Sequence, residues 1–385
     1  MSERGPQILL VANWDSGVGY AWWLMESYWC TIATRFSGEY GILLAYPSVS
    51  TLPESLANAP VRVIAQEVEA RSTSGLMQTI RLIRKERIRV IYFSDRPTWH
   101  WSYSLYRLAG VRTIIVHDHT PGVRARPAGW KAGIKALVHR IRWLGADAAI
   151  GATEYVRDRL IHVNCVPPER CFSVPNGLPS NLPAPRAADL HSLFAIPADR
   201  VILIMSGRAN RYKGIDFILQ CMANLKHDGK ATLHFVFIGD GPDLSAFKEQ
   251  ARALKVQDYC TFAGRRDDVP ALLEGADIAM HPSQGEVGYS LSILEYMRAG
   301  LPVVVPDNPS VCAATEHGVT GLIYREMRIP DATAALTRLI DDKCLRRRLG
   351  TNARHSAHAY QLEEAHARLL AALETTLAHR KRHCA

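Results

Sequence analysis

The stretch Ile278–Pro306, IAMHPSQGEVGYSLSILEYMRAGLPVVVP, constrains the fold of this chain more than any other. Ile278–Met280 and Val303–Val305 are short apolar runs, the pattern of buried strands. Gly285 and Gly288 between them permit a tight turn and a close approach of backbone to a ligand. A helix is expected over Ser290–Ala299, ended by Gly300, with Pro302 beyond it. The amide groups at such a helix start, here Gly288, Tyr289, Ser290 and Leu291, favour an anion. Glu286 and Glu295 flank that start. An anion site with a carboxylate one or two turns into the helix suits a nucleotide, with phosphate on the amides and ribose hydroxyls on the acid. Two solvated helix-end acids are the plainer alternative.

The same alternation runs along the whole chain. Apolar runs at Gln7–Ala12, Gly41–Tyr46, Val61–Ile64, Val90–Phe93, Thr113–Val116 and Ala148–Ala152 are separated by helical patterns, and Val201–Ser206 and His234–Ile238 resume the series. Strands alternating with helices imply parallel sheets, so the fold class is α/β. A chain of 385 residues accommodates two such domains. Residues 1–180 form the first, 181–360 the second, with the boundary near Pro183, and 361–385 hold a last helix and the basic tail Arg380–His383, expected to be disordered.

Composition narrows the function. With 48% hydrophobic and 22% charged residues the chain reads as globular, and no apolar run is long enough to span a bilayer. The start, MSERGPQILLVANWDSG, reads as a first strand rather than a secretory signal. The eight cysteines are scattered, without metal-ligand spacing, as for reduced thiols in the cytoplasm. Residues 1–175 carry 21 basic and 14 acidic residues, a balance of +7 out of the total of +9, and all eight Trp lie at or before Trp143. Such a half suits an anionic partner. Nucleic acid is ranked last, because no nucleic-acid motif is present.

In the first half, Gly17 and Gly19 close a strand–glycine loop–helix unit of Rossmann type. His117, Asp118 and His119 follow a strand end, where titratable residues are site candidates; a metal site there has no further ligand cluster to support it. Trp130–Leu144 is read as an amphipathic basic helix. Trp130, Ile134, Leu137, Ile141 and Leu144 fall on one stripe, and Lys131, Lys135, His139 and Arg142 on another, with Arg124 and Arg126 just before. Two readings stay open for 124–144: a helix lying on an anionic membrane surface, or a helix packed on the sheet with a solvated basic face.

The second half opens with Gly207-Arg208-Ala209-Asn210-Arg211-Tyr212-Lys213-Gly214 directly after a strand. Two fixed cations beside a helix N-terminus suit a diphosphate. This G-R-x4-K-G run, followed by Glu286 and Glu295, resembles retaining glycosyltransferase family 4, also called glycosyl transferases group 1. That family usually shows Glu-x7-Glu; here the spacing is Glu286-x8-Glu295, taken as a one-residue insertion, because the alternative places Val287 where a hydrogen-bond acceptor is needed. The family's Gly-Gly-x-Pro-Glu pattern is absent from Asp307–Val311.

The resemblance implies the GT-B fold, with two facing Rossmann-like domains, a cleft between them and a C-terminal helix crossing back. It implies transfer of a sugar from a nucleotide-diphosphate sugar, UDP or GDP, to a sugar, lipid-linked or other hydroxyl acceptor, with retention and without a metal or other cofactor. On it, Arg208, Lys213, Glu286 and His117 are catalytic, Asp118 or His119 standing in for His117 as alternatives. Gly17, Gly19, Gly207, Gly288, Tyr289, Ser290, Leu291 and Glu295 bind the donor, and the backbone near Arg265 contacts the base. The expected location is cytoplasmic, on the inner face of the membrane if the basic helix meets it. Rival readings are an epimerase or phosphorolytic enzyme on the same fold and a non-catalytic membrane-bound scaffold. A dinucleotide dehydrogenase lacks its glycine fingerprint.

Overall fold

The computed structural model describes residues 5–17, 22–68, 72–180, 185–230 and 232–382. Gly19 and Pro183 therefore lie outside the described residues.

Two parallel sheets organise the chain. The first contains β1 (Gln7–Val11), β2 (Gly41–Tyr46), β3 (Arg62–Ala65), β4 (Ile88–Ser94), β5 (Thr113–Asp118), β6 (Ala148–Gly151) and β7 (Cys171–Ser173), in the order β3-β2-β1-β4-β5-β6-β7. The second contains β8 (Val201–Ser206), β9 (Leu233–Ile238), β10 (Cys260–Gly264), β11 (Ile278–Met280), β12 (Val303–Pro306) and β13 (Gly321–Tyr324), in the order β10-β9-β8-β11-β12-β13. Ile8–Leu10, Ile202–Met205 and Val303–Val305 are fully buried. Helices cover both faces of such sheets, so these strands read as unbroken apolar runs rather than alternating ones.

The chain divides into two compact units. One comprises Met1–Thr120, Arg124–Asn176 and Glu363–Ala385; the other comprises Pro121–Val123 and Gly177–Leu362. The final helix, Leu362–Arg382, thus returns to the first unit, where Glu374 pairs with Arg35 at 2.5 Å and His366 meets Ser27 Oγ at 3.1 Å. It runs through Arg382, where the sequence led us to expect a disordered basic tail. In the second unit the helices Ile215–His227 and Ile329–Asp341 close one side of the sheet around Phe217, Leu219, Met222, Leu336 and Leu339.

The basic helix departs from its sequence pattern. It spans Trp130–Arg140 and stops short of Leu144, with Ile141 already extended. Its one buried side chain is His139, whose Nδ1–H donates to the Lys135 carbonyl at 2.8 Å while Nε2 accepts from Thr98 Oγ1 at 2.8 Å. Lys135 Nζ donates to the Val163 carbonyl at 3.1 Å. The apolar stripe faces outward instead: Trp130 is 72% exposed, Leu137 60% and Ile134 50%. The helix is therefore seated by hydrogen bonds from Lys135 and His139; Lys131 and Arg140 are exposed, and the apolar stripe is not packed on the sheet as the packed-helix reading required.

Both sheets reverse direction of strand growth at one place, between β1 and β4 in the first and between β8 and β11 in the second. Ligands of open α/β sheets bind beyond the carboxyl ends of strands at such switch points.

Candidate active site

The loop after β8 and the loop after β11 meet at the switch point of the second sheet. Gly207 follows β8 with φ +154°, and its N–H donates to the Ile238 carbonyl at 3.0 Å. A Cβ at Gly239 would come within 1.8 Å of the Gly207 carbonyl oxygen, so the loops after β8 and β9 are in backbone contact only because position 239 has no side chain. Arg208 is exposed at this edge. Asn210 caps the short 3-10 turn Arg211–Lys213 by accepting from the Lys213 N–H at 3.2 Å. Gly214 then turns the chain with φ +76°, its missing Cβ leaving room for the Pro282 carbonyl.

Lys213 is aimed by this turn at Glu286. Its Nζ lies 2.5 Å from Glu286 Oε1, and His281 Nε2 lies 3.0 Å from the same oxygen. Burial raises the Glu286 carboxyl, but the Lys213 charge and the His281 hydrogen bond outweigh it and hold the group at about 2. Burial also pushes His281 below the usual imidazole range, so a neutral ring donates Nε2–H to an ionised carboxylate. Both donors engage Oε1.

Ser290 caps the helix Leu291–Arg298 by accepting from the Ile293 N–H. The first-turn N–H groups at Leu291 and Ser292 are those a helix leaves without an internal partner. Gly288, with φ +110°, spends its own N–H on the Ser310 carbonyl at 2.7 Å. Its part in the site is thus the turn itself. Tyr289 is buried against Tyr360. Glu295 lies one turn into the helix, where burial pushes its carboxyl up to about 7 despite Arg298 nearby. Tyr296, which sequence reasoning passed over, hydrogen-bonds both the N–H and the carbonyl of Ser206, at 2.7 and 3.1 Å. It pins this helix to the end of β8, so Arg208 and Glu295 are held by one framework. Arg265 is exposed directly after β10.

In the first unit, His117 is the penultimate residue of β5, in the interior. Its Nδ1 accepts from Tyr92 Oη at 2.5 Å, its Nε2 has no hydrogen-bond partner among the described residues, and the His119 ring lies 4.1 Å away. Burial and His119 keep it well below the imidazole range, hence neutral. Asp118 is committed to the fold: Arg159 Nη2 reaches Oδ2 at 3.1 Å and the Thr120 N–H reaches Oδ1 at 2.8 Å. No cluster of three metal-ligating side chains occurs among the described residues. The switch point of this sheet is marked by Asn13 and Asp95, joined at 3.0 Å, and Asn13 lines a small cavity of about 40 Å³ together with Pro47, Ser94 and Arg96. Gly17 lies near this edge, where a Cβ would meet Ser50 Oγ at 2.4 Å.

Two parallel doubly wound units, each with a polar switch point, define a GT-B architecture. Residues 45–181 match the sequence model of Glycosyltransferase Family 4, and residues 189–356 match that of Glycosyl transferases group 1. The chain belongs to glycosyltransferase family 4. It is 30% identical over 170 residues to the alpha-D-kanosaminyltransferase of Streptomyces kanamyceticus, covering 44% of this chain and 43% of that one. It is 27% identical over 254 residues to the alpha-monoglucosyldiacylglycerol synthase of Streptococcus pneumoniae, covering 64% and 52%. The chain thus spans about half the length of the curated relatives it matches. Among solved structures, Anabaena HepE in complex with UDP-glucose superposes with a TM-score of 0.73 at 16% identity, over 96% of this chain and 99% of that one. At that identity the likeness speaks for the fold.

Proposed function

We propose that this chain transfers a hexose-type sugar from a nucleoside-diphosphate sugar, UDP- or GDP-linked, to a hydroxyl acceptor with retained anomeric configuration. The carrying observation is the corner in which Lys213 and Glu286 meet at 2.5 Å beside exposed Arg208 and the Leu291–Arg298 helix start. Arg208 and Lys213 hold the diphosphate with the open amides of that helix. As the bond from the anomeric carbon to the phosphate oxygen breaks, negative charge grows on the leaving group, and fixed cations lower the barrier most there. The acceptor oxygen bonds the anomeric carbon on the same face, and its proton passes to the departing phosphate oxygen. The two side-chain cations do the neutralising that a metal would otherwise do, so the reaction is metal-independent.

Glu295 takes the ribose hydroxyls, Glu286 a donor-sugar hydroxyl through Oε2, and the backbone at Arg265 the base. Gly207 and Gly288 shape the loops, and Tyr289, Ser290 and Leu291 carry the helix start. His117 positions the sugar through Nε2, with Gly17 and Gly19 on the same unit. UDP-glucose bound to HepE and the glucosyl-diacylglycerol product in the pneumococcal relative's name support a nucleotide-sugar donor and a lipid-linked or glycoconjugate acceptor.

Trp130, Ile134, Leu137, Ile141 and Trp143 are exposed, and Arg124, Arg126, Lys131, Arg140 and Arg142 lie among them with no acid from His119 to Ala146. This face seats the protein peripherally on the inner, anionic leaflet of the membrane. No helix among the described residues is long and apolar enough to cross it.

The direct experiment incubates the protein with uridine- and guanosine-diphosphate hexoses and a panel of hydroxyl acceptors, with and without chelator, and reads the product by mass and proton NMR. An alpha-linked adduct from an alpha-linked donor, formed equally in chelator, is expected. An epimerised donor, a sugar phosphate or no turnover of any donor overturns the reading. Sedimentation with vesicles containing anionic lipid tests the surface, and equal recovery with and without vesicles contradicts it.

A further inference from the structure

The loop after β12 is not among the residues assigned to chemistry above, yet it holds the loop that carries Glu286. Ser310 is fully buried. Its Oγ accepts the Glu286 N–H at 3.3 Å, and its carbonyl accepts the Gly288 N–H at 2.7 Å. Asn308, 5% exposed, accepts at Oδ1 from the Ser310 N–H at 2.9 Å and from Ser310 Oγ at 2.7 Å. Its Nδ2 donates to the Gln284 carbonyl at 3.2 Å and to Glu326 Oε1 at 2.7 Å. The Ala313 N–H closes the far side on the Gly288 carbonyl at 2.9 Å. The backbone at 284, 286 and 288 is thus fixed by a neighbouring loop at each alternate residue.

This arrangement answers a need set by the sequence. Glu286 sits in a glycine-flanked loop, outside any helix or strand, so no ladder of hydrogen bonds fixes its φ and ψ. Its carboxylate nevertheless meets Lys213 and His281 at one oxygen. A glycine-flanked segment has many backbone conformations, and holding one to within about half an ångström requires outside partners. Ser310 supplies the partner for the N–H of the residue that bears the carboxylate. Asn308 orients Ser310 by accepting from both its N–H and its hydroxyl, which leaves an Oγ lone pair for Glu286.

We infer that Asn308 and Ser310 are positioning residues for the donor site: they set the place of the Glu286 carboxylate, and through it of the Lys213 ammonium, without touching the substrate. The inference rests on the functional reading above. It also gives Asp307–Val311 a role built from this chain's own side chains.

The test compares Ser310→Ala and Asn308→Ala with the unaltered protein. UDP and GDP binding is measured by titration calorimetry, kcat and both KM values by steady-state turnover, and the folded fraction by the binding stoichiometry. Ser310→Ala removes the acceptor for the Glu286 N–H; Asn308→Ala releases Ser310 from the other end. Both are expected to weaken nucleotide binding and lower kcat by about tenfold, one hydrogen bond's worth of misplacement. The stoichiometry stays at one per chain and the acceptor KM stays unchanged. A purely structural role would lower the stoichiometry or the melting temperature while the remaining sites kept normal affinity and kcat, and that result overturns the proposal. Normal behaviour of both variants overturns it as well. Lys213→Ala, run alongside, separates the two failures. If it loses nucleotide binding while the Asn308 and Ser310 variants do not, the positioning role fails and the site stands. If it too binds normally, the site itself was misplaced.

Discussion

The polar corners of the two units are built on the same plan and finished differently. Each lies at the carboxyl edge of a parallel sheet and each contains an acid paired with a base. In the second unit the pair is Lys213 and Glu286, with Arg208 exposed nearby and one carboxylate oxygen free of both donors. In the first unit the pair is Asp118 and Arg159, both side chains below a tenth exposed, with the N–H, hydroxyl and carbonyl of Thr120 bonded to them. A buried pair tied to the neighbouring backbone in this way holds a fold in one conformation. A pair with open valences at a switch point is prepared for a ligand. On the proposed reading the same residue types serve structure in one sheet and chemistry in the other, and the difference lies in what else reaches them.

This contrast breaks most directly at the cations. Arg208→Ala or Lys213→Ala should each lower kcat by about a hundred- to a thousandfold, the usual loss when one charge-stabilising group is removed. The measurement is initial rate of sugar transfer at saturating donor. By contrast, Asp118→Asn should leave nucleotide affinity unchanged and cost stability, about 3 kcal/mol, because Arg159 is left buried without its charge partner. Thermal or urea unfolding reads that cost, and weakened nucleotide binding would erase the distinction between the corners.

Glu295→Gln should weaken UDP or GDP binding by about tenfold. Its pH behaviour sharpens the point. The folded-state value of about 7 stands above the ordinary 4.5. Between these values the folded protein keeps a proton that the unfolded chain has released, so stability contributed by this residue falls as the pH rises through that window. Nucleotide affinity moves the opposite way, because the ionised carboxylate is the better acceptor for ribose hydroxyls. Melting temperature and calorimetric affinity measured across the window should show both slopes, and Glu295→Gln should flatten them. The smallest effect expected is from His117→Gln, a loss of a few-fold in transfer with nucleotide affinity intact. A loss of nucleotide binding there would mean the first unit takes more of the donor than the contrast allows.

How much of this was legible in the sequence follows from the range of the interactions involved. Most strands were readable because burial on both faces leaves continuous runs such as VILIMS and VVVP; Cys260–Gly264, half-buried along its length, was not read as one. The Arg208–Lys213 run was readable because its geometry is local: one strand end, one capped turn and one glycine fix both cations. Glu286 could be named but not placed, since its position depends on Ser310 and Asn308, about two dozen residues further on and in another loop. His281 and Tyr296 carried no signal of their own, because a histidine before Pro282 and a tyrosine in a helix have many ordinary uses. The helix at Trp130–Arg140 was read with its orientation open. The stripe pattern says that two faces differ, and only the Thr98 and Val163 contacts decide which one turns inward.

The most direct test of the central claim is a crystal of the protein soaked with UDP or GDP and read for the diphosphate. Phosphate oxygens are expected within hydrogen-bonding distance of the Arg208 guanidinium and the Lys213 ammonium, with the ribose on Glu295. A nucleotide bound with its diphosphate away from both cations would contradict it.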